Sequence, residues 1–363
     1  MEFALTSDQI AMQDSLNRTL EKLSGLDQVR DIAAQDRPVA PQIITALAEL
    51  GATAVMIPEA HGGLGLGVLD ACLLAEMLGR HIAPAPFIGP VLAGIAISGA
   101  GSEAQKTRWL ASIASGEARL GVAISEYASG ARLQAGVTAT GGKLSGKALF
   151  VLDFDGAEAF VAADAKGGLH LVPADAPGMT RIALTSIDRT RTLGELQFDN
   201  VSAEPLSSGD VAATLQKMRD AGRVILAADT LGAAQRMIER AVDYTRERQQ
   251  FGRVIGSFQA VKHLCAEMAA ELEPCRSLVW YAAYTQDSVP EEASLTAAHA
   301  KAHLSEVGKF VARTATEVFG GIGITDLLGL HYAFKRIGLN RQLLGAPERL
   351  RRDAAVFQGL VQA

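Results

Sequence analysis

Between positions 246 and 259 the chain reads RERQQFGRVIGSFQ, which gathers three arginines, two glycines and two phenylalanines. Guanidinium beside glycine suits a phosphate: the planar fork pairs with two oxygens, and residues lacking Cβ let main-chain N–H groups approach closely. With no anion, the same stretch is a solvated helix end in which Arg246, Glu247 and Arg248 satisfy the helix dipole and one another. The second glycine cluster, GGIGIT at 320–325, carries the same pair of readings, a phosphate cradle or a helix-to-turn transition. His299 and His303 stand four apart, a zinc spacing, but without a glutamate or third ligand in metalloprotease order they read as two histidines on a helix face. Cys72, Cys265 and Cys275 are odd in number and have no metal spacing, so they read as buried or inert thiols.

These residues must be positioned by a chain of 363 residues, long enough for two or three domains. Residues 1–121 carry helical periodicity, with Thr6 and Gln9 in a capping box ahead of Leu16, Leu20 and Leu23. A turn-rich connector, VMIPEAHGGLGLG, interrupts it. Residues 122–205 alternate short strand-like runs with turns and predict a small antiparallel β domain. Residues 206–363 return to long amphipathic helices suited to an antiparallel bundle, with broad apolar faces that favour self-association. The predicted class is therefore α+β and multidomain: helices, a β domain, helices.

The composition is globular, 48% hydrophobic and 20% charged. A net charge of −6 argues against nucleic acid as a partner, because neutralising phosphates needs a basic surface. There is no membrane-spanning run, and the acidic, amphipathic opening lacks the basic, apolar layout of a signal peptide, so a cytoplasmic protein is expected.

Five stretches, in order, resemble the acyl-CoA dehydrogenase family over nearly the whole chain: VMIPEAHGGLGLG, GSEAQKTRWLASIASGEARLGVAISE, LSGKALFVLD, YTRERQQFGRVIGSFQ and VFGGIGIT. The resemblance implies FAD between the β domain and the bundle, α,β-dehydrogenation of an acyl-CoA thioester to an enoyl-CoA, a role in lipid β-oxidation, and electron-transfer flavoprotein as acceptor. It also implies that the corner after the first long helix of the bundle holds the pyrophosphate and adenosine of a neighbouring subunit's FAD. Arg248 and Gln250 would be phosphate contacts, Phe251 an apolar wall, Gln259 a further polar contact, and Gly320 and Gly321 a backbone cradle.

Set against that pattern, the chain departs on one side. Where the family has a Thr-Glu-Pro loop ending Gly-Ser, this chain has Ser125 to Ala131; Ser125 keeps a hydroxyl and Ala131 has none. The family's Trp-Ile-Thr strand is Phe150-Val151-Leu152, and its glutamine before the glycine cradle is Glu317. The Glu-Gly-Thr segment that carries the catalytic glutamate becomes Leu344-Gly345-Ala346, and the alternative seat of the base is Gly222. Asp220 and Arg223 keep the family's Asp-x-x-Arg spacing beside the acyl-CoA pocket, and equally form an i,i+3 ion pair. Asp220, Asp229 and Glu348 are candidate displaced bases.

Because contacts to the chain's own flavin ring are degraded while those reaching a neighbour's FAD persist, the expectation is a subunit of a heteromeric acyl-CoA dehydrogenase for bulky steroid or aromatic thioesters. The alternatives are a self-contained homo-oligomer with a displaced base, an oxidase or flavin monooxygenase, and a non-redox structural or CoA-binding subunit. Small residues such as Gly222 and Ala346 leave room for a bulky acyl group.

Overall fold

The computed structural model describes residues 4–35, 39–132 and 134–362. Six helices come first: α1 Ser7–Leu23, α2 Leu26–Ala33, α3 Pro41–Glu49, α4 Val68–Arg80, α5 Ile88–Ala100 and α6 Glu103–Ala114. Thr6 closes the expected capping box on α1: its hydroxyl accepts from the Gln9 N–H, while the Gln9 amide oxygen accepts from the Thr6 N–H. Ser102 and Gln105 repeat the device on α6.

The chain then forms β1 Leu120–Ala123, the short helix α7 Ser125–Ser129, and β2 Gly136–Thr140, β3 Lys143–Leu152, β4 Ala159–Ala163, β5 Leu169–Pro173, β6 Met179–Leu184, β7 Leu193–Ser202 and β8 Glu204–Leu206. The sheet runs β6-β7-β3-β1-β4-β5-β8, with β2 added on β3. It corrects the purely antiparallel expectation at one place: β1 and β4 are parallel, with Leu120 opposite Ala159. A parallel pair needs a long crossover, and here the chain between them runs through α7 and the β2–β3 hairpin. Both strands are buried along their whole length, as central strands covered on both faces must be.

The bundle contains α8 Val211–Glu247, α9 Gln259–Ser288, α10 Pro290–Phe319, α11 Leu330–Gln342 and α12 Pro347–Phe357. α8 runs through the middle of the molecule and packs against α4, α10 and α9. Its central residues, from Asp220 to Ala234, are buried without interruption, so no apolar stripe marks one face, as expected of a helix enclosed on all sides. The β domain is tied to the helices by Asp153, whose carboxylate accepts from the N–H groups of Phe87 and Gly89 at 3.0 and 2.6 Å and so caps the first turn of α5.

Candidate active site

Past Glu247 the backbone leaves the helix, and residues Gln249–Gln250 pair antiparallel with Arg253–Val254. Phe251 and Gly252 between them both have positive φ, +54° and +77°, the requirement of a tight type I′ hairpin. Holding phenylalanine in that region is strained, and its ring is 90% exposed. The ring forms one wall of an open cavity of about 630 Å³ lined by Tyr244, Arg248, Gln250, Gly320 and Gly321 among others.

Of the three arginines, Arg246 approaches Asp243 at 3.7 Å, and Arg253 stacks on Phe258 at 4.0 Å. Arg248 has no ion-pair partner among the described residues. The mutual pairing of Arg246, Glu247 and Arg248 offered by the solvated-helix-end reading is therefore absent among those residues. Gly320 adopts φ +65°, ψ −149°, a conformation confined to glycine, and a Cβ added at Gly320 or Gly321 would meet nothing within 4 Å. An unpaired guanidinium, an amide, an aromatic wall and an open glycine turn fit the pyrophosphate–adenosine portion of FAD. Gln259, at the start of α9, does not line this cavity, and neither does Glu317.

A second cavity, of about 290 Å³, lies between the β domain and the bundle and is lined by Ser125, Glu126, Phe150, Leu193 and Leu344 among others. Here the fit to a flavin ring is poorer. The Ser125 hydroxyl is already donated to the carbonyl of Phe150 at 3.1 Å, and Phe150 itself is held at φ +52°. Leu344 is 1% exposed, at φ +54°. It faces Gly222 so closely that a Cβ there would lie 2.6 Å from Leu344 Cδ1 and 3.1 Å from Leu92 Cδ1. The two positions at which the resemblance places an acid are thus neighbours, and hydrocarbon fills the space between them.

Arg223 is fully buried and ties three segments together. Its Nε donates to the Leu344 carbonyl at 3.0 Å, and its Nη2 donates to the Ala128 carbonyl at 3.1 Å and to Asp353 at 2.8 Å. Asp220 is 3.8 Å from Arg223 but is held bidentately by Arg219 and accepts from the Ser294 hydroxyl at 2.5 Å. Asp229 sits against Arg191, Arg336 and Asn340; burial alone would raise its pKa, but the two guanidiniums hold it below the ordinary value. Glu348 is exposed and lies 3.1 Å from Arg341, its pKa lowered by its own N–H and by that arginine.

None of these three carboxylates lines the ring-side cavity; Glu126 does. It accepts from the Leu149 N–H at 2.7 Å, and burial pushes its pKa up. Glu126 stands in the Ser125–Ala131 loop, away from the two bundle seats at which the resemblance places a base and from the acids near them. The signal available was that it is the one acid in the Ser125–Ala131 loop.

Beneath the Leu344 segment, buried Lys301 donates to the Asn340 carbonyl at 2.5 Å and to the Ser305 hydroxyl at 3.4 Å. Burial, with Arg223 and Arg341 nearby, pushes its pKa from 10.5 down to about 7. Between those two values the unfolded chain holds a proton that the folded chain has released, so stability rises with pH across that window. Urea midpoints from pH 7 to pH 10 should climb in the native chain and flatten in Lys301→Met; equal slopes would show that the amine stays charged when buried.

A helical lobe, a mixed sheet and a long-helix bundle, with an arginine- and glycine-lined corner at one end and a cavity beside the sheet, form the layout that the resemblance to a flavin-dependent acyl-thioester dehydrogenase implies. Residues 6–117 match the family model "Acyl-CoA dehydrogenase, N-terminal domain", and residues 213–357 match "Acyl-CoA dehydrogenase, C-terminal domain". Acyl-CoA dehydrogenase IpdE2 of Mycolicibacterium smegmatis is 30% identical over 356 residues, covering 97% of this chain and all of the relative. The chain belongs to the acyl-CoA dehydrogenase family, a family of FAD-dependent oxidoreductases. Among solved structures, the Tcur3481-Tcur3483 steroid ACAD variant superposes with a TM-score of 0.88 at 29% identity, over 97% of this chain and 98% of that one. The ChsE4-ChsE5 complex from Mycobacterium tuberculosis gives 0.89 at 25% identity, over the whole of both chains. No helix among the described residues is long and apolar enough to cross a membrane.

Proposed function

We propose that this chain is the subunit of a heteromeric acyl-CoA dehydrogenase that lends its corner to a flavin whose chemistry takes place in a partner. The observation that carries this reading is the Leu344–Gly222 contact: both seats for the base are closed by hydrocarbon, while Arg248 at the far corner has no ion-pair partner among the described residues. Abstracting a proton beside a thioester needs a carboxylate in a dry site, aligned with the α-carbon, and leucine accepts no proton. When bound, FAD supplies the hydride acceptor; in this chain Arg248, Gln250, Phe251, Gly320 and Gly321 would hold its phosphates and adenosine. Electron-transfer flavoprotein is the proposed acceptor. The steroid-linked and two-component relatives support a bulky thioester and a second, different subunit.

The dimensions agree. Arg223 reaches the ring-side loop through Leu344, and Arg248 lies 25 positions further along the chain, on the order of 37 Å at 1.5 Å per residue. That separation supports assigning the corner and the ring-side cavity to the flavins of different subunits.

The test is flavin per chain, measured after denaturation, for the protein alone and mixed with a candidate partner. Flavin acquired only in the mixture supports the reading, and a full complement in the chain alone ends it. In the mixture, Arg248→Ala should weaken FAD binding by about ten- to a hundredfold, the loss of a charge-assisted phosphate contact worth roughly 1.5–3 kcal/mol; unchanged affinity would remove the corner from the site.

Glu126 favours a second reading, a self-contained homo-oligomer with a displaced base. If so, the chain alone is yellow, acyl-CoA bleaches it, and Glu126→Gln abolishes the bleaching without releasing flavin.

A further inference from the structure

A third cavity, of about 340 Å³, lies between the first helices and the bundle and shares no lining residue with the other two. Its walls include the apolar side chains of Leu26, Val29 and Met237, and its charged side is built from Arg80, Arg236 and Arg240 beside His81. Arg80 takes both oxygens of Glu239, at 2.8 and 2.7 Å, and Arg236 reaches the same carboxylate at 3.3 Å. Arg240, one turn beyond Arg236 on α8, donates to the main-chain carbonyl of Leu328 at 2.5 Å and has no carboxylate partner among the described residues.

Two like charges four apart on a helix repel, and a half-buried guanidinium with only a carbonyl for company is poorly compensated. Among the described residues that line this cavity, the one acid is Glu21, which is exposed and accepts from Asn17 Nδ2 at 3.0 Å. Three lining guanidiniums therefore stand against one lining carboxylate, while Glu239, outside the lining, is shared by Arg80 and Arg236. His81 sits in the same wall, its Nε2 2.8 Å from Asn17 Oδ1; burial, followed by Arg80 and Arg236, pushes its pKa down to about 4.

A bound anion would supply the missing counter-charge, and the apolar wall opposite suits a hydrocarbon tail rather than a second polar group. We propose that this cavity is a binding site for a small amphipathic carboxylate, its head held by Arg240 and Arg236 and its tail packed on Leu26, Val29 and Met237. Because α1, α2 and α4 of the first lobe and α8 and α11 of the bundle all contribute to the walls, occupancy would tie the lobe to the bundle. The site depends on neither flavin nor a partner subunit.

Titration calorimetry of the full chain with hexanoate, with hexan-1-ol and inorganic phosphate as controls, tests this. Saturable binding of hexanoate alone is expected, weakened at least tenfold in Arg240→Leu and largely kept in Arg240→Lys, with the His81 ring titrating at higher pH when hexanoate is bound. If Arg240→Leu does not fold, Arg240→Gln takes its place. Absence of saturable binding, or equal affinity in the native chain and the variant, overturns the assignment. Phosphate binding as tightly as hexanoate also overturns it, since that would describe a site without use for the apolar wall.

Discussion

Asp229→Ala is expected to cost about 3–5 kcal/mol of folding stability, the loss seen when one partner leaves a buried ion pair. Arg336 donates to this carboxylate through Nε and Nη2, both at 3.1 Å, Arg191 approaches at 2.7 Å, and Asn340 donates at 2.7 Å. Arg336 also holds the Ala83 carbonyl and the Thr190 hydroxyl, so the cluster joins the first lobe, the β6–β7 connection and the bundle. Alanine would strand two buried guanidiniums in a site closed to water. The native pKa lies below that of the unfolded chain, so this stability is present above the ordinary aspartate range and is lost as pH falls towards the native value. Urea melts of the native chain and the variant at pH 7 and pH 4 measure both effects, with the gap narrowing at the lower pH. A variant as stable as the native chain but without substrate-dependent flavin bleaching would restore Asp229 as a base.

Gly232→Ala should be the other severe change, although helix propensity alone predicts a gain of about 1 kcal/mol. A Cβ at Gly232 would sit 1.8 Å from the Glu76 carbonyl oxygen, and one at Gly79 would sit 1.9 Å from that of Asp229. α4 and α8 thus cross with their backbones touching at a pair of glycines, and the atoms in the way are main chain, which cannot rotate aside. The helices would have to separate, and the buried side chains around the crossing would lose contact along both. We expect a loss of about 3 kcal/mol or more, at the upper end of overpacking costs, seen as a fall in thermal midpoint of the order of 5 °C or more. A rise in midpoint would mean that the two helices do not meet main chain to main chain at this crossing.

What could be read in the sequence was what local chemistry determines. The corner at 248–251 and the glycines at 320–321 meet in one cavity because each is a short, self-contained turn, whereas Gln259 belongs to a helix start just outside it. The β1–β4 pairing was hidden because a hairpin lies between the two strands, and alternation does not reveal direction. Asp229 reaches Arg191 and Arg336 across the fold, with no periodic signature to link them. Asp220 and Arg223 keep their spacing, yet the closer partner of Asp220 is the adjacent Arg219, and Arg223 donates to the Leu344 and Ala128 carbonyls and to Asp353, none of which a motif mentions. Glu126 is legible as the one acid of its loop, but its seat in the ring-side cavity depends on the fold bringing that loop against the Leu344 segment.

The length of α8 has a consequence for handling the protein. On the proposed reading, in which the corner and the ring-side cavity serve the flavins of different subunits, bound flavin is a function of protein concentration by mass action. Dilution should release cofactor and partner together, with colour fading along the dissociation curve of the complex, and added FAD should hold the subunits together at concentrations where they would otherwise part.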